Sequence, residues 1–257
     1  MITVRPVGEI PGDLRRSYLD ALREPQELYV EELLVKPGQR WLVEEGGERV
    51  AYAVVSDSVL VEIHCPAPAA RRLAEISQAV IETAAVRRVV SKSFDSQLMF
   101  VALASGNPPQ TLGLLYRDVV DLGFVERPGI SVRLAGPAEL AAAKAVDPSF
   151  FDDDQVTAAL IAENGLFFYQ QEGEGLLGCG LLKRLVDGRD DFDLGMAVAP
   201  QRRGQRLGAY IIAHLKTLCL NRGVRPICGH HVSNVASQRS LERAGFAALH
   251  RLVQFEL

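Results

Sequence analysis

The sequence is short of several things, and each shortage removes a class of function. Its four cysteines, Cys65, Cys179, Cys219 and Cys228, contain no Cys-x-x-Cys pair. In a chain of this length they are expected as reduced, buried thiols, not as a disulfide framework. No apolar run is long enough to span a bilayer, and the most apolar helical stretch is broken by His214 and Lys216. Met1 to Gly12 carries Arg5 and Glu9 and lacks the apolar core of a secretory signal. Basic excess is absent too: a net charge of −4 argues against a nucleic-acid surface. The expectation is a cytoplasmic protein with neither membrane nor nucleic acid as partner. Cys228, His230 and His231 lie close together, but no clear fourth ligand follows, so no metal is expected. Neither common nucleotide loop is present: the dinucleotide fingerprint needs another glycine spacing, and the Walker loop needs a Gly-Lys-Ser/Thr ending.

What is there suits a globular protein of two domains. The 257 residues are 48% hydrophobic and 23% charged, ordinary values for such chains. Pro128-Gly129 is a turn signal between two strand-like runs, which divides the chain into residues 1–128 and 129–257. In the second half the pattern predicts strands at 130–134, 166–171, 176–186, 192–198, 224–232 and 249–255. Helices are predicted at 137–146, 154–163, 209–220 and 235–243. The order is β-α-α-β-β-β-α-β-α-β, an α/β fold of the α+β type with a mixed sheet. The first half echoes it, with strands at 41–44, 49–55, 59–64, 86–91 and 111–118 and helices at 69–85 and 97–104. The parallel suggests an internal duplication, two units in tandem. Trp41, Phe150, Phe151, Phe167, Phe168 and Tyr169 are expected in the cores.

The second half holds one feature that the first lacks. Val198-Ala-Pro-Gln-Arg-Arg-Gly-Gln-Arg-Leu-Gly208 joins a strand to a long helix. Such a turn exposes unpaired backbone N–H groups at the positive end of the helix dipole, and Arg202, Arg203 and Arg206 add full charges. A pyrophosphate fits it. The matching place in the first half, Ala67 to Arg72, has no glycine.

Two motifs make the second half resemble the GNAT superfamily of N-acetyltransferases. One is Val198-x-Pro200-x-x-Arg203-Gly204-x-x-x-Gly208; the other is Asn234-x-x-Ser237, followed by a helix and Gly245-Phe246. They come in the family's order, with one helix and one strand between them. The resemblance implies two GNAT-like units, the first degenerate and without a pyrophosphate loop. It implies that Arg203, Gly204, Gln205, Arg206, Leu207 and Gly208 wrap the pyrophosphate of acetyl-CoA. Met196, Ala197 and Val198 would pair with the pantetheine arm, and Asn234 and Ser237 would lie against it. The expected reaction is acetyl transfer to a primary amine of a small molecule or peptide, by direct attack in a ternary complex. The chain departs from the family twice. Arg206 takes a position usually held by glycine, and Leu241 stands where many members carry a tyrosine acid.

Acyl transfer needs a neutral amine, which an alkyl ammonium supplies to only about one part in 10³ at pH 7. A carboxylate, an imidazole or water must take the proton. The candidates are Asp193, with Asp191 beside it on the strand, and His230 and His231 at the end of the next strand. Ser240 or Ser237 could stand in for the missing hydroxyl. Asp152, Asp153 and Asp154 form an acidic run that either caps a helix or borders a cationic acceptor. Leu241 and the missing first cradle leave a non-catalytic acyl-CoA sensor open as an alternative. A CoA-independent anion-binding module is a third.

Overall fold

The structure, a computed structural model, describes residues 1–148, 150–151 and 153–257. The chain begins with β1 (Ile2–Val7), α1 (Gly12–Ala21) and a π-helical turn, Tyr29–Val35. A meander follows: β2 (Gln39–Glu45), β3 (Glu48–Ser56) and β4 (Val59–His64). Next come α2 (Ala67–Ala70), α3 (Leu73–Thr83), β5 (Arg88–Lys92), α4 (Ser96–Leu103), β6 (Gln110–Tyr116) and β7 (Asp118–Val119). The second half runs β8 (Ile130–Leu134), α5 (Leu140–Val146), α6 (Asp154–Ala162), β9 (Leu166–Gln171), β10 (Gly175–Arg184) and β11 (Asp191–Val198). After a 3-10 turn at Pro200–Arg202 it ends with α7 (Leu207–Asn221), β12 (Arg225–His231), α8 (Val235–Arg243), β13 (Phe246–Ala247) and β14 (His250–Glu256). This is the mixed α/β order expected. The single helix expected at 69–85 is instead the pair α2 and α3.

Two units form, but not at the expected boundary. One is Met1–Leu115 with Leu249–Leu257, and the other is Tyr116–Ala248. The division thus falls before residue 128, and the last strand leaves its own half. β14 pairs antiparallel with β5, from Leu252↔Lys92 to Glu256↔Arg88, and with β6 from His250↔Leu115. It buries Leu252, Val253 and Phe255 in the first unit. The alternating pattern of 249–255 marks a strand but carries no information on its neighbours.

In the first unit the sheet order is β1-β2-β3-β4-β5-β14-β6. One face packs Ile63, Trp41, Val89 and Phe255 against Ile76, Val80, Leu98 and Val101 of α3 and α4. The other packs Tyr52, Val54, Val61 and Leu115 against Leu14 and Tyr18 of α1 and Val30 and Val35 of the π-helical turn.

In the second unit the order is β12-β11-β10-β9-β8, and a short pair, β7 with β13, closes it elsewhere. α7 lies on this sheet because β10 is bare where the helix crosses. A Cβ on Gly180 would stand 3.0 Å from Ile211 and from Leu215, and one on Gly178 would stand 3.1 Å from Ile211. The facing core holds Ala143, Phe151, Leu166, Phe168, Cys179, Leu181 and Ala197. Phe167 and Tyr169 are buried as expected, whereas Phe150 is exposed, edge-on to Phe151. The four cysteines form no disulfide, and all are buried. Desolvation pushes Cys65, Cys179 and Cys219 up to about 12, which removes them as nucleophiles.

Candidate functional site

β11 and β12 run parallel, and their pairing stops early. Asp191↔Arg225, Phe192↔Pro226 and Asp193↔Ile227 are in register. Beyond Asp193 the pairing of β11 continues only on its other edge, with β10 as far as Gly178↔Val198. Leu194 to Val198 therefore present main-chain N–H and C=O groups to an opening between the strands. β11 then runs through Ala199 and the 3-10 turn into the start of α7.

That helix start is uncapped. Its N-cap is Arg206, left-handed at φ 59° and ψ 22°, and its side chain makes no cap hydrogen bond. A non-glycine residue in this region carries a cost on the order of 1 kcal/mol. Gly204, at φ 81°, sits in the same turn with nothing within 4 Å of its missing Cβ. The first backbone bond of the helix is Tyr210 N–H to Arg206 O, 3.2 Å. The N–H groups before it point out of the helix end with no helical acceptor, which is the geometry that receives an anion.

The loop arginines are not equally available. Arg202 is tied to Glu174 at 2.7 Å, and Arg203 to Asp147 at 2.9 Å. The Arg206 side chain is exposed. Gly208 is glycine because of crowding: a Cβ there would meet Ser240 Oγ at 2.8 Å and Met196 Cε at 3.2 Å. Met196, expected beside the pantetheine arm, is thus also beside the first turn of α7.

Asp193, His230, His231 and Ser240, considered for proton transfer, are each engaged. Asp193 is buried at the last position of β11 that pairs with β12 and is not free. Asp191 lies two residues further back; burial raises its carboxyl, against the pull of Arg225. His230 Nδ1 donates to its neighbour's carbonyl, His231 O, at 2.8 Å, so in the neutral ring Nε2 accepts the Tyr116 hydroxyl, at 2.9 Å. His231 Nδ1 accepts the Ser233 backbone N–H at 3.3 Å and stands 2.8 Å from Ser233 Oγ. Ser240 Oγ donates back to Ala236 O, and Leu241 is buried. Tyr116 was missed by sequence reasoning, since it lies far from either motif. Burial holds its phenol well above the ordinary range.

Asn234 is the N-cap of α8 and accepts the Ser237 N–H at 3.0 Å. Gly245 is left-handed at φ 95°, and a Cβ there would collide with Val120 O. In the acidic run, Asp153 caps α6 and Asp154 pairs with Lys144; Asp152 lies outside the described residues. Among the described residues, no group of three His, Cys, Asp or Glu side chains is placed to hold a metal. Among the described residues, no helix is long and apolar enough to cross a membrane.

The first unit repeats the strand opening without a glycine or a left-handed residue in the turn that follows. β4 and β5 pair at Val59↔Arg88 and Leu60↔Val89 only. Past that point their side chains are closed on one another and on α1. Lys92 Nζ donates to Tyr18 Oη at 2.6 Å and Gln26 Oε1 at 2.9 Å, with Asp95 at 3.5 Å. Glu62, its carboxyl raised by burial, takes Arg15, Gln26 and Tyr52. Arg72, at the start of α3, is held by Glu45 and Glu75.

One family model, the acetyltransferase (GNAT) family, matches residues 138–246, and a second, the acetyltransferase (GNAT) domain, matches residues 10–119. The chain belongs to the GNAT acetyltransferases. Each unit of this GNAT chain carries one of the two matches, and acetyl transfer is its activity. Similar solved structures include an acetyltransferase of the GNAT family from Colwellia psychrerythraea, with TM-score 0.80, 24% identity and 99% of both chains covered. A GCN5-related N-acetyltransferase from Sphaerobacter thermophilus aligns at TM-score 0.62 and 16% identity, over 98% of this chain and 94% of that one. A tandem GNAT protein from the clavulanic acid biosynthesis pathway aligns at 0.61 and 13%, over 99% and 97%. At these identities the likeness is one of fold, two GNAT units in a row. A search of curated proteins finds no match.

Proposed function

We propose that the second unit of this GNAT chain binds acetyl-CoA and transfers its acetyl group to a primary amine of a small molecule or peptide. The pyrophosphate lies on the N–H groups from Gly204 to Gly208, and the pantetheine arm adds to the free edge of β11 at Met196 to Val198. The observation that carries this is the continuity of the two features. An unpaired strand edge leads, without interruption, into an uncapped helix end.

The amine nitrogen attacks the thioester carbonyl, forming the C–N bond. The carbonyl oxygen is met by a main-chain N–H near Ala197. The C–S bond then breaks, and the thiolate takes a proton from solvent, since Leu241 offers none. Because Asp193, His230, His231 and Ser240 are all engaged, the amine proton is assigned to water. The rate should then follow the neutral fraction of the acceptor. kcat/KM should rise about tenfold per pH unit below the amine's own pKa, with no break near pH 6.5.

Calorimetry with acetyl-CoA, beside thiol release over a panel of amines, tests the proposal. Gly204→Asp should abolish binding while leaving the fold intact, because it sets a carboxylate against phosphate. Unchanged affinity in that variant would refute the cradle. Tight binding with no release for any amine would favour the non-catalytic sensor.

A further inference from the structure

Arg206 holds a left-handed backbone with no cap of its own, so something outside the helix must keep it there. Arg127 is in place to do so. Its Nη1 donates to Gln205 O at 3.2 Å and its Nη2 to Arg206 O at 3.4 Å. The guanidinium carbon lies 5.2 Å from the centroid of the Tyr210 ring, one turn into α7. Phe124 packs beside it, 5.2 Å from Tyr210 and 5.3 Å from the ring of His214. One short segment thus grips both the loop and the first turn of the helix.

The two carbonyls held by Arg127 belong to two successive peptide planes. In a trans peptide the N–H points opposite to the C=O. A fork that fixes Gln205 O and Arg206 O therefore fixes the N–H groups of Arg206 and Leu207, directed away from the fork. Those are two of the donors that face the pyrophosphate in the proposed cradle. A cation on the carbonyl side also polarises each amide, which strengthens its N–H as a donor.

We infer that Arg127 is a positioning residue for the cosubstrate. It holds Arg206 in the left-handed region and aims the N–H groups of Arg206 and Leu207 at the phosphate. The inference rests on the proposed binding of CoA at this loop. It assigns Arg127 no contact with the ligand.

The test is calorimetry with CoA, together with steady-state kinetics, on the wild-type chain and on R127A, R127K, R206G and R127A/R206G. R127A should weaken CoA binding and raise KM for acetyl-CoA about tenfold, with kcat at saturation within about twofold. R127K should behave like R127A, because an ammonium cannot grip two carbonyls as a fork does. With R206G as the reference, the loss of Arg127 should cost far less in R127A/R206G than it does in the wild-type chain, since glycine takes φ > 0 unaided. Unchanged affinity in R127A, beside normal wild-type binding, would overturn the inference alone. So would affinity kept by R127K with no rescue in R127A/R206G, the pattern of direct phosphate contact. No binding by the wild-type chain would overturn the CoA reading and this inference together.

Discussion

Gly204 and Gly208 stand four residues apart and are glycine for opposite reasons. Gly204 needs its left-handed φ of 81° and has open space around it; Gly208 is helical and has no space at all. A side chain at the first costs strain, and one at the second collides with α8. Gly208→Ala should therefore lower stability by about 1–3 kcal/mol through overpacking. Adding Ser240→Ala should recover part of that loss by removing the oxygen 2.8 Å away. Urea midpoints of the two variants and their double check the coupling; strictly additive effects would show that the contact is not shared. A sequence displays both residues as one motif. It does not separate the glycine that a left-handed turn requires from the one that a neighbouring helix requires.

At the scale of elements, the strand, turn and helix around Pro200 to Gly208 were legible and their supports were not. An apolar run ending in Pro200 to Gly208 before an amphipathic stretch announces a strand, a turn and a helix from local residues alone. Asn234-x-x-Ser237 was legible as a motif, but its physical content is an N-cap: the side chain of Asn234 serves the N–H of Ser237. Asn234→Ala should cost about 1 kcal/mol and lower Tm by about 2–4 °C. Thermal unfolding watched by circular dichroism gives the answer, and an unshifted Tm would remove the cap from the account. α1 and the π-helical turn were not foreseen. Arg15, Gln26 and Glu31 carry no obvious apolar period, because this part of the chain closes on a buried polar cluster around Glu62 and Lys92. Tyr116 and Arg127 were likewise invisible, since their contacts reach 114 and 78 residues along the chain and no local pattern encodes them.

For the molecule as a whole, acid is the condition to watch. Burial lowers the pKa of His64 in the first unit and of His214 in the second. The unfolded chain takes those protons near pH 6.5, and the folded chain only at lower pH. Stability should fall as pH drops below 6.5 and stop falling once the folded rings protonate. Glu62, raised by desolvation, acts in the opposite sense over its own range, losing stability as pH rises above 4.5. Urea midpoints from pH 7.5 to 5.5 should therefore drop less steeply in H64Q/H214Q than in the wild type. Parallel curves would show that the rings do not titrate with unfolding. The terminal strand sets the second condition. A chain ending at Ala248 lacks Leu252, Val253 and Phe255, and the last of these side chains alone accounts for about 3–5 kcal/mol. That is comparable with the whole margin of a domain. The only tryptophan, Trp41, reports on this, because it sits in the first unit's core. Its emission should shift to the red in the shortened chain; an unshifted spectrum would mean that the unit closes without β14. A unit whose sheet is completed by residues 249–257 cannot be finished when its own first stretch leaves the ribosome. At cellular rates of synthesis, on the order of ten seconds pass before the missing strand arrives. Throughout that interval β5 and β6 lack the strand that joins them, so the N-terminal unit, though made first, waits on the last residues of the sheet to close.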